Sequence, residues 1–241
     1  MRVLMTSAGA LAASIGSASA DELLDRLAAA SVPDEAPAKC SVTMTSINTE
    51  NGERQERVYR FDAATEETTL IGPPEAVAAE AEAKAEAAKP EKKKKKEEKD
   101  GETVSFGMTP YAVAAAVGTL DYELVGRSGG LSTYKAAPLP KGTFEPSGRD
   151  MSKRSAAILT VRDGEVPAVE RFAYELQKEV RIPMIARVRT LRQETRYAEV
   201  EGAMRPVGMA MVFDADVMGS EQQGEFEMAL SDYDCPVSAA D

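Results

Sequence analysis

In the second half of the chain, apolar and polar positions alternate with a period of two. Phe172, Tyr174 and Leu176 share a side of their segment, opposite Arg171 and Glu175. Met209, Met211 and Phe213 share another, opposite Gly208, Ala210 and Val212, and Phe226, Met228 and Leu230 a third, opposite Glu225 and Glu227. Successive strand side chains point to opposite faces, so this alternation predicts a sheet with one apolar face. Strand-like runs at 40–47 and 54–61 flank Asn51-Gly52, and a third at 68–71 stops at Gly72-Pro73-Pro74. Further runs at 122–126 and 131–137 flank Ser128-Gly129-Gly130, and 156–162 and 168–176 flank Asp163-Gly164. Such glycine-containing pairs supply the positive φ that tight hairpins need. Residues 180–183 add a short stretch, 185–201 a long strand with a bend or bulge, and 206–214 and 225–234 a last hairpin around 219–224. Strands joined in this way make an antiparallel meander.

A sheet with one apolar face needs a cover. Residues 21–30 (DELLDRLAAA) place Leu23, Leu24 and Leu27 on one side of a helix. Residues 110–120 (PYAVAAAVGTL) suit another, with proline at a permitted first-turn position. The expected fold is mainly β: a curved antiparallel sheet, a half-open barrel, covered by two or three short helices. Residues 21–241 form one domain, interrupted at 75–102.

That interruption differs in kind. It is almost wholly Ala, Glu and Lys, with nine acids and eight bases. Its first half has high helix propensity but no apolar stripe wider than alanine, and Lys92 to Lys96 repel one another. It reads as a solvated surface insertion or as a charged tether.

The N-terminus adds a compartment. Arg2 precedes an uncharged, alanine-rich run from 3 to 15, and Ala18-Ser19-Ala20 fits a signal-peptidase site. Residues 1–20 are expected to be a signal peptide cleaved after Ala20, which makes the mature protein periplasmic and not membrane-spanning. Cleavage removes one base and no acid, so the net charge becomes −11 − 1 = −12. A surface so acidic excludes nucleic acid as a partner. In an oxidising compartment the two cysteines, Cys40 and Cys235, are expected to pair.

Most catalytic classes fail for want of residues. The chain has no histidine, which removes serine and cysteine triads and the common zinc sites. No P-loop or G-x-S-x-G occurs. The carboxylate pairs Asp214/Asp216 and Asp232/Asp234 stand where strands meet turns, a place that favours Asp for local reasons. No enzyme activity, cofactor or metal is expected. The methionines carry more information. Met209, Met211 and Met228 fall on the apolar face, with Met184 and Met204 near strand ends. Flexible, polarizable methionine suits either a cavity for varied apolar ligands or an irregular core.

Residues 156–235 resemble the outer-membrane lipoprotein-sorting carriers of the LolA/LolB type. The resemblance lies in ILTVRDGEVPAVERFAYEL, the strand ending ETRYAEVEG, then RPVGMAMVF and FEMALSDYD, with RVYRFD and TTLIG compatible with the opening of that fold. It implies an incomplete barrel under a helical lid, with an apolar cavity for acyl chains. The charged insertion and the lack of tryptophan depart from the family, and no functional residue carries over. The resulting expectation is an exported, non-enzymatic binding protein. It would shelter a lipid or lipoprotein acyl chain among Phe172, Tyr174, Met209, Met211, Phe213, Phe226, Met228 and Leu230. The alternative is an envelope interaction module with a solid core, which binds a protein and no ligand.

Overall fold

A computed structural model describes residues 18–30, 40–87 and 110–236. The expected signal segment lies outside these, except for residues 18–20. Helix α1 (Ala18–Ala30) starts inside that segment, and a cut after Ala20 would leave its buried leucines in place. Strands β1 (Ser41–Glu50), β2 (Glu53–Asp62) and β3 (Glu67–Gly72) follow, then helices α2 (Pro74–Ala87) and α3 (Pro110–Ala115). Strands β4 (Glu123–Ser128), β5 (Leu131–Ala136), β6 (Ser155–Arg162), β7 (Ala168–Leu176) and β8 (Val180–Ile182) come next. The long strands β9 (Ala186–Val200), β10 (Ala203–Val217) and β11 (Ser220–Asp234) end the described chain.

All of these strands belong to one antiparallel sheet, ordered β3-β2-β1-β11-β10-β9-β7-β6-β5-β4, with β8 paired to β9. The sheet does not close, and β3 and β4 are its two edges. The expected meander accounts for the neighbours from β4 to β11. The pairing of β1 with β11 is different, because it brings the two ends of the chain together: Ser41 lies opposite Asp234 and Met44 opposite Leu230. Cys40 and Cys235, one residue beyond the first of those pairs, form the disulfide.

Two elements depart from the sequence pattern. The last hairpin turns at Met218-Gly219 and not across 219–224, because the β10–β11 ladder continues through Ala215–Gln222 and Asp216–Glu221 to Val217–Ser220. The apolar alternation stops at Phe213, but the backbone hydrogen bonds do not. The helix expected over 110–120 ends at Ala115 and continues only as a 3-10 turn, Val117–Thr119, in which Gly118 offers little helical preference.

The apolar face divides into two clusters. The larger joins Leu23, Leu24 and Leu27 of α1, Val113 and Ala114 of α3, and strand residues that include Tyr134, Leu159, Val169, Phe172 and Leu191. The smaller holds Val42, Met44, Met228 and Leu230, with Tyr59, Phe61, Met209, Phe226 and Tyr233 packed against them, and every one stands on a strand. The opposite face is polar. There Arg192 reaches Glu194 at 2.7 Å and Glu175 at 3.9 Å, and Arg171 lies 3.9 Å from Glu194.

The cover over the larger cluster is broader than the helices alone. The loop 137–154 contributes Leu139, Phe144 and Met151, all buried. It is held to itself by Met151 N–H donating to Phe144 O at 2.9 Å and Leu139 N–H to Ser152 O at 3.2 Å. Phe144 N–H also donates to Ser152 Oγ at 3.0 Å. The helices are therefore not the sole source of the cover. Helix α2 lies beside β3, and none of its residues from Pro74 to Ala83 is buried or belongs to either cluster.

Candidate functional site

The eight residues expected to face an apolar space all lie on the apolar face, and they differ in how fully they are buried and packed. Phe172 is buried, and its ring meets Tyr174 edge-on with centroids 4.9 Å apart. Phe144 also stacks on Tyr174, with centroids 4.8 Å apart. Burial pushes the Tyr174 phenol above its ordinary range. Phe213 lies over the backbone of its cross-strand partner Gly224, where an added Cβ would sit 2.4 Å from the ring. Glycine at 224 is what lets the ring lie there. Met228 and Leu230 are buried in the smaller cluster, opposite Ser46 and Met44 of β1.

Five of the eight, Tyr174, Met209, Met211, Phe213 and Phe226, are half-buried. Tyr174 is stacked by Phe144 and Phe213 lies on Gly224, which leaves Met209, Met211 and Phe226. Met211 faces Phe226 across the β10–β11 ladder, and Met209 faces Met228. Met211 packs against the larger cluster, whereas Met209 and Phe226 pack against the smaller one. These three side chains form a strip where the two clusters meet.

A separate recess with a mixed polar and apolar wall opens beside α1. Its volume is about 440 Å³, and Leu27, Ala30, Pro110, Val166, Pro167, Ala168, Val169 and Met204 supply most of its wall, with Arg162 and Glu199 among the polar members. Arg26 holds the exposed side of α1 near this recess by donating to the Asp163 carboxylate at 3.3 Å and to Gly164 O. The alternation pattern could not reveal the recess, because its wall comes from a helix, a proline-bearing turn and the ends of two hairpins.

No family model and no curated protein sequence matches the chain. Among solved structures, a LolA superfamily protein from Nitrosomonas europaea aligns over 90% of this chain and 93% of its own, at 11% identity and a TM-score of 0.35. That is the superfamily which the strand order and pattern of residues 156–235 resemble.

A larger concavity has Phe213 and Gly224 in its wall, beside mostly polar residues. About 810 Å³ in volume, it lies at the ends of β1, β10 and β11 and is lined by Thr49, Asn51, Thr190, Val212, Asp214, Glu221, Gln223 and Glu225, among others. Arg189 ties its carboxylates together, donating to Asp214 at 2.8 Å and to Glu221 at 2.9 Å. Those two acids hold the Arg189 guanidinium above its ordinary pKa. Asp216, the other member of the first carboxylate pair, accepts the Gly219 N–H at 2.8 Å as a turn cap. Among the described residues no group of three or more Cys, Asp or Glu side chains is gathered to hold a metal, and no helix is long and apolar enough to cross a membrane.

Proposed function

We propose that the protein is an exported, periplasmic, non-enzymatic binding protein that shelters an apolar ligand, a lipid or a lipoprotein acyl chain, against the covered face of its open sheet. The observation that carries this reading is the strip Met209, Met211 and Phe226: three large apolar side chains left half-buried where the two clusters meet. Full burial of side chains this size is favourable by about 1.5–3 kcal/mol each, so an apolar guest that completed it would be bound by the same force. The recess beside α1 supports the reading, since about 440 Å³ falls within the range of small-molecule pockets. Secretion is supported by the N-terminal residues and by the Cys40–Cys235 disulfide, a bond that persists in oxidising compartments. The lack of any histidine supports a role without acid–base catalysis.

The rival reading, a solid interaction module, draws on the aromatic stack of Phe144, Tyr174 and Phe172, whose ring centroids lie 4.8 and 4.9 Å apart. Organic extraction of the purified protein followed by lipid mass spectrometry, with hydrophobic-probe binding to Met211→Trp, tests the choice. The carrier reading expects extractable lipid, and loss of probe binding in a variant that still folds. A parent that yields no lipid and binds no probe, with a variant destabilised by the roughly 1–3 kcal/mol typical of overpacking, would leave the interaction module.

A further inference from the structure

Six residues stand opposite one another on neighbouring strands from β7 to β2: Tyr174, Gln193, Met211, Phe226, Asn48 and Gln55. Opposed residues of an antiparallel pair share a face, so this row runs across the proposed ligand strip. It contains no acid, lysine or arginine. Asn48 and Gln55 are exposed at one end, whereas Tyr174 and Gln193 are half-buried at the other. Gln193 is the anomaly. The inward-facing residues on either side of it along β9 are Leu191 and Thr195, both buried. Thr195 is hydrogen-bonded to the Tyr197 phenol. Among the described residues none hydrogen-bonds the Gln193 amide, which stands beside Met211 on the apolar face. Withdrawing an amide from water costs free energy unless something completes its bonds.

Tyr174, directly across from Gln193, is placed to act with it. Phe144 and Phe172 pack on its ring, with centroids 4.8 Å and 4.9 Å away, and so fix where the phenol lies. Burial raises the Tyr174 phenol and no hydrogen bond contributes, so the group stays protonated and able to donate. The Tyr122 phenol is raised by burial and by the nearness of Tyr174, again without a hydrogen bond. An unbonded amide and unbonded phenols thus adjoin one end of an apolar strip. The charged residues next to Gln193 along β9, Arg192 and Glu194, pair with each other on the opposite face at 2.7 Å. What the apolar face offers here is hydrogen-bond donors without a cation.

We propose that Gln193, with Tyr174 beside it, holds the ester or amide carbonyl of an uncharged acyl ligand whose chain lies over Met211 and Phe226. The Gln193 N–H and the Tyr174 O–H donate to the carbonyl oxygen. The Gln193 Oε1 is left to accept the N–H of an amide-linked chain. This inference rests on the carrier reading and says which apolar ligand the strip prefers. A free fatty acid is disfavoured by the same features, because an ionised carboxylate leaves water at high cost when no cation meets it.

Displacement of the neutral probe N-phenylnaphthylamine from the purified protein tests it, with methyl dodecanoate, N-methyldodecanamide, dodecanoate and tridecane as competitors in neutral buffer. In the parent both carbonyl compounds should displace the probe about tenfold better than dodecanoate, or more. Gln193→Leu should weaken methyl dodecanoate by about three- to tenfold, the range of one hydrogen bond, and tighten tridecane. An amide ligand, bonded through both of its groups, should lose more than the ester in the same variant. Tyr174→Phe should weaken both carbonyl compounds. Gln193→Glu keeps the size of the side chain, removes the donor and should also lose the ester, so the test stands if leucine disturbs the fold. A parent that takes tridecane but prefers dodecanoate overturns this inference and leaves the carrier reading in place. So does a Gln193→Leu variant that weakens ester and tridecane alike. A parent that binds neither the probe nor any competitor ends both.

Discussion

The two clusters on the apolar face hold together by different means. In the larger one the strands are overlaid by α1, α3 and the loop 137–154, so that Leu27, Tyr134 and Leu159 are almost wholly withdrawn from water. In the smaller one every contributor is on β1, β2, β10 or β11, and the covalent Cys40–Cys235 bond sits at the end of the β1–β11 pair. A cover assembled from separate pieces can loosen piece by piece. A sheet made from the two ends of the chain depends on those ends staying together. The proposed ligand strip lies at the boundary between the two arrangements, where a loosened cover exposes more apolar surface and the strands beneath do not need to part.

The disulfide gives the largest expected effect. The bond closes a loop of 195 residues, and constraining so long a loop in the unfolded chain is worth about 5 kcal/mol in the chain-entropy account. Cys40→Ser with Cys235→Ser should therefore lower stability by several kcal/mol in urea titration, and β1 and β11 should lose amide protection before the larger cluster does. A loss under about 1 kcal/mol, with uniform protection, would show that packing alone holds the chain ends and that the contrast between the halves is misplaced.

A pair of truncations sharpens the contrast further. Leu27 and Met44 are both nearly fully buried, one under the cover and one in the strand-only cluster. Each change to alanine should cost about 2–5 kcal/mol. The two should differ in a second readout. Leu27→Ala loosens α1 over the recess it lines and is expected to raise hydrophobic-probe binding. Met44→Ala is expected to destabilise without that gain. Equal probe binding by both variants would mean that α1 does not act as a separable cover.

Much of this is legible in the chain itself, and the reasons are local. Period-two alternation places Phe172, Met211 and Met228 on one face, because a strand leaves its side chains no other choice. Asn51-Gly52 marks a hairpin for a similar reason. The loop 137–154 escapes the pattern because Leu139, Phe144 and Met151 follow no period, and only the folded loop brings them together. The division of the ligand face escapes it as well. Nothing in the alternation says that Phe213 will lie on its cross-strand partner Gly224, or that Tyr174 will be stacked by Phe144. The last hairpin reads too short in the sequence because its final pairs, from Ala215 to Val217, lack the large apolar residues on which the pattern relies. The exposed methionines at 184 and 218 stand apart from all of these, since each holds a positive φ in a turn between strands, which no alternation reveals.

The smallest effect expected concerns the segment that belongs to neither half. Helix α2 lies beside the edge strand β3, where Val77, Glu80 and Ala81 line a shallow recess with Thr68 and Leu70. Val77 and Glu80 are only half-buried, and no residue from Pro74 to Ala83 enters either cluster. The alanine and charge composition leaves the helix little to bury, so its helicity comes from propensity and not from packing. Replacing 75–102 by a short flexible linker between Pro74 and Thr103 also changes the loop-closure entropy only logarithmically. The expected result is a stability within about 1 kcal/mol of the parent, with Leu27→Ala and the disulfide variant keeping their separate costs in the shortened protein. A larger loss, read in the same urea titration, would mean that β3 relies on α2 as the larger cluster relies on α1. The strand-only half would then have a cover of its own.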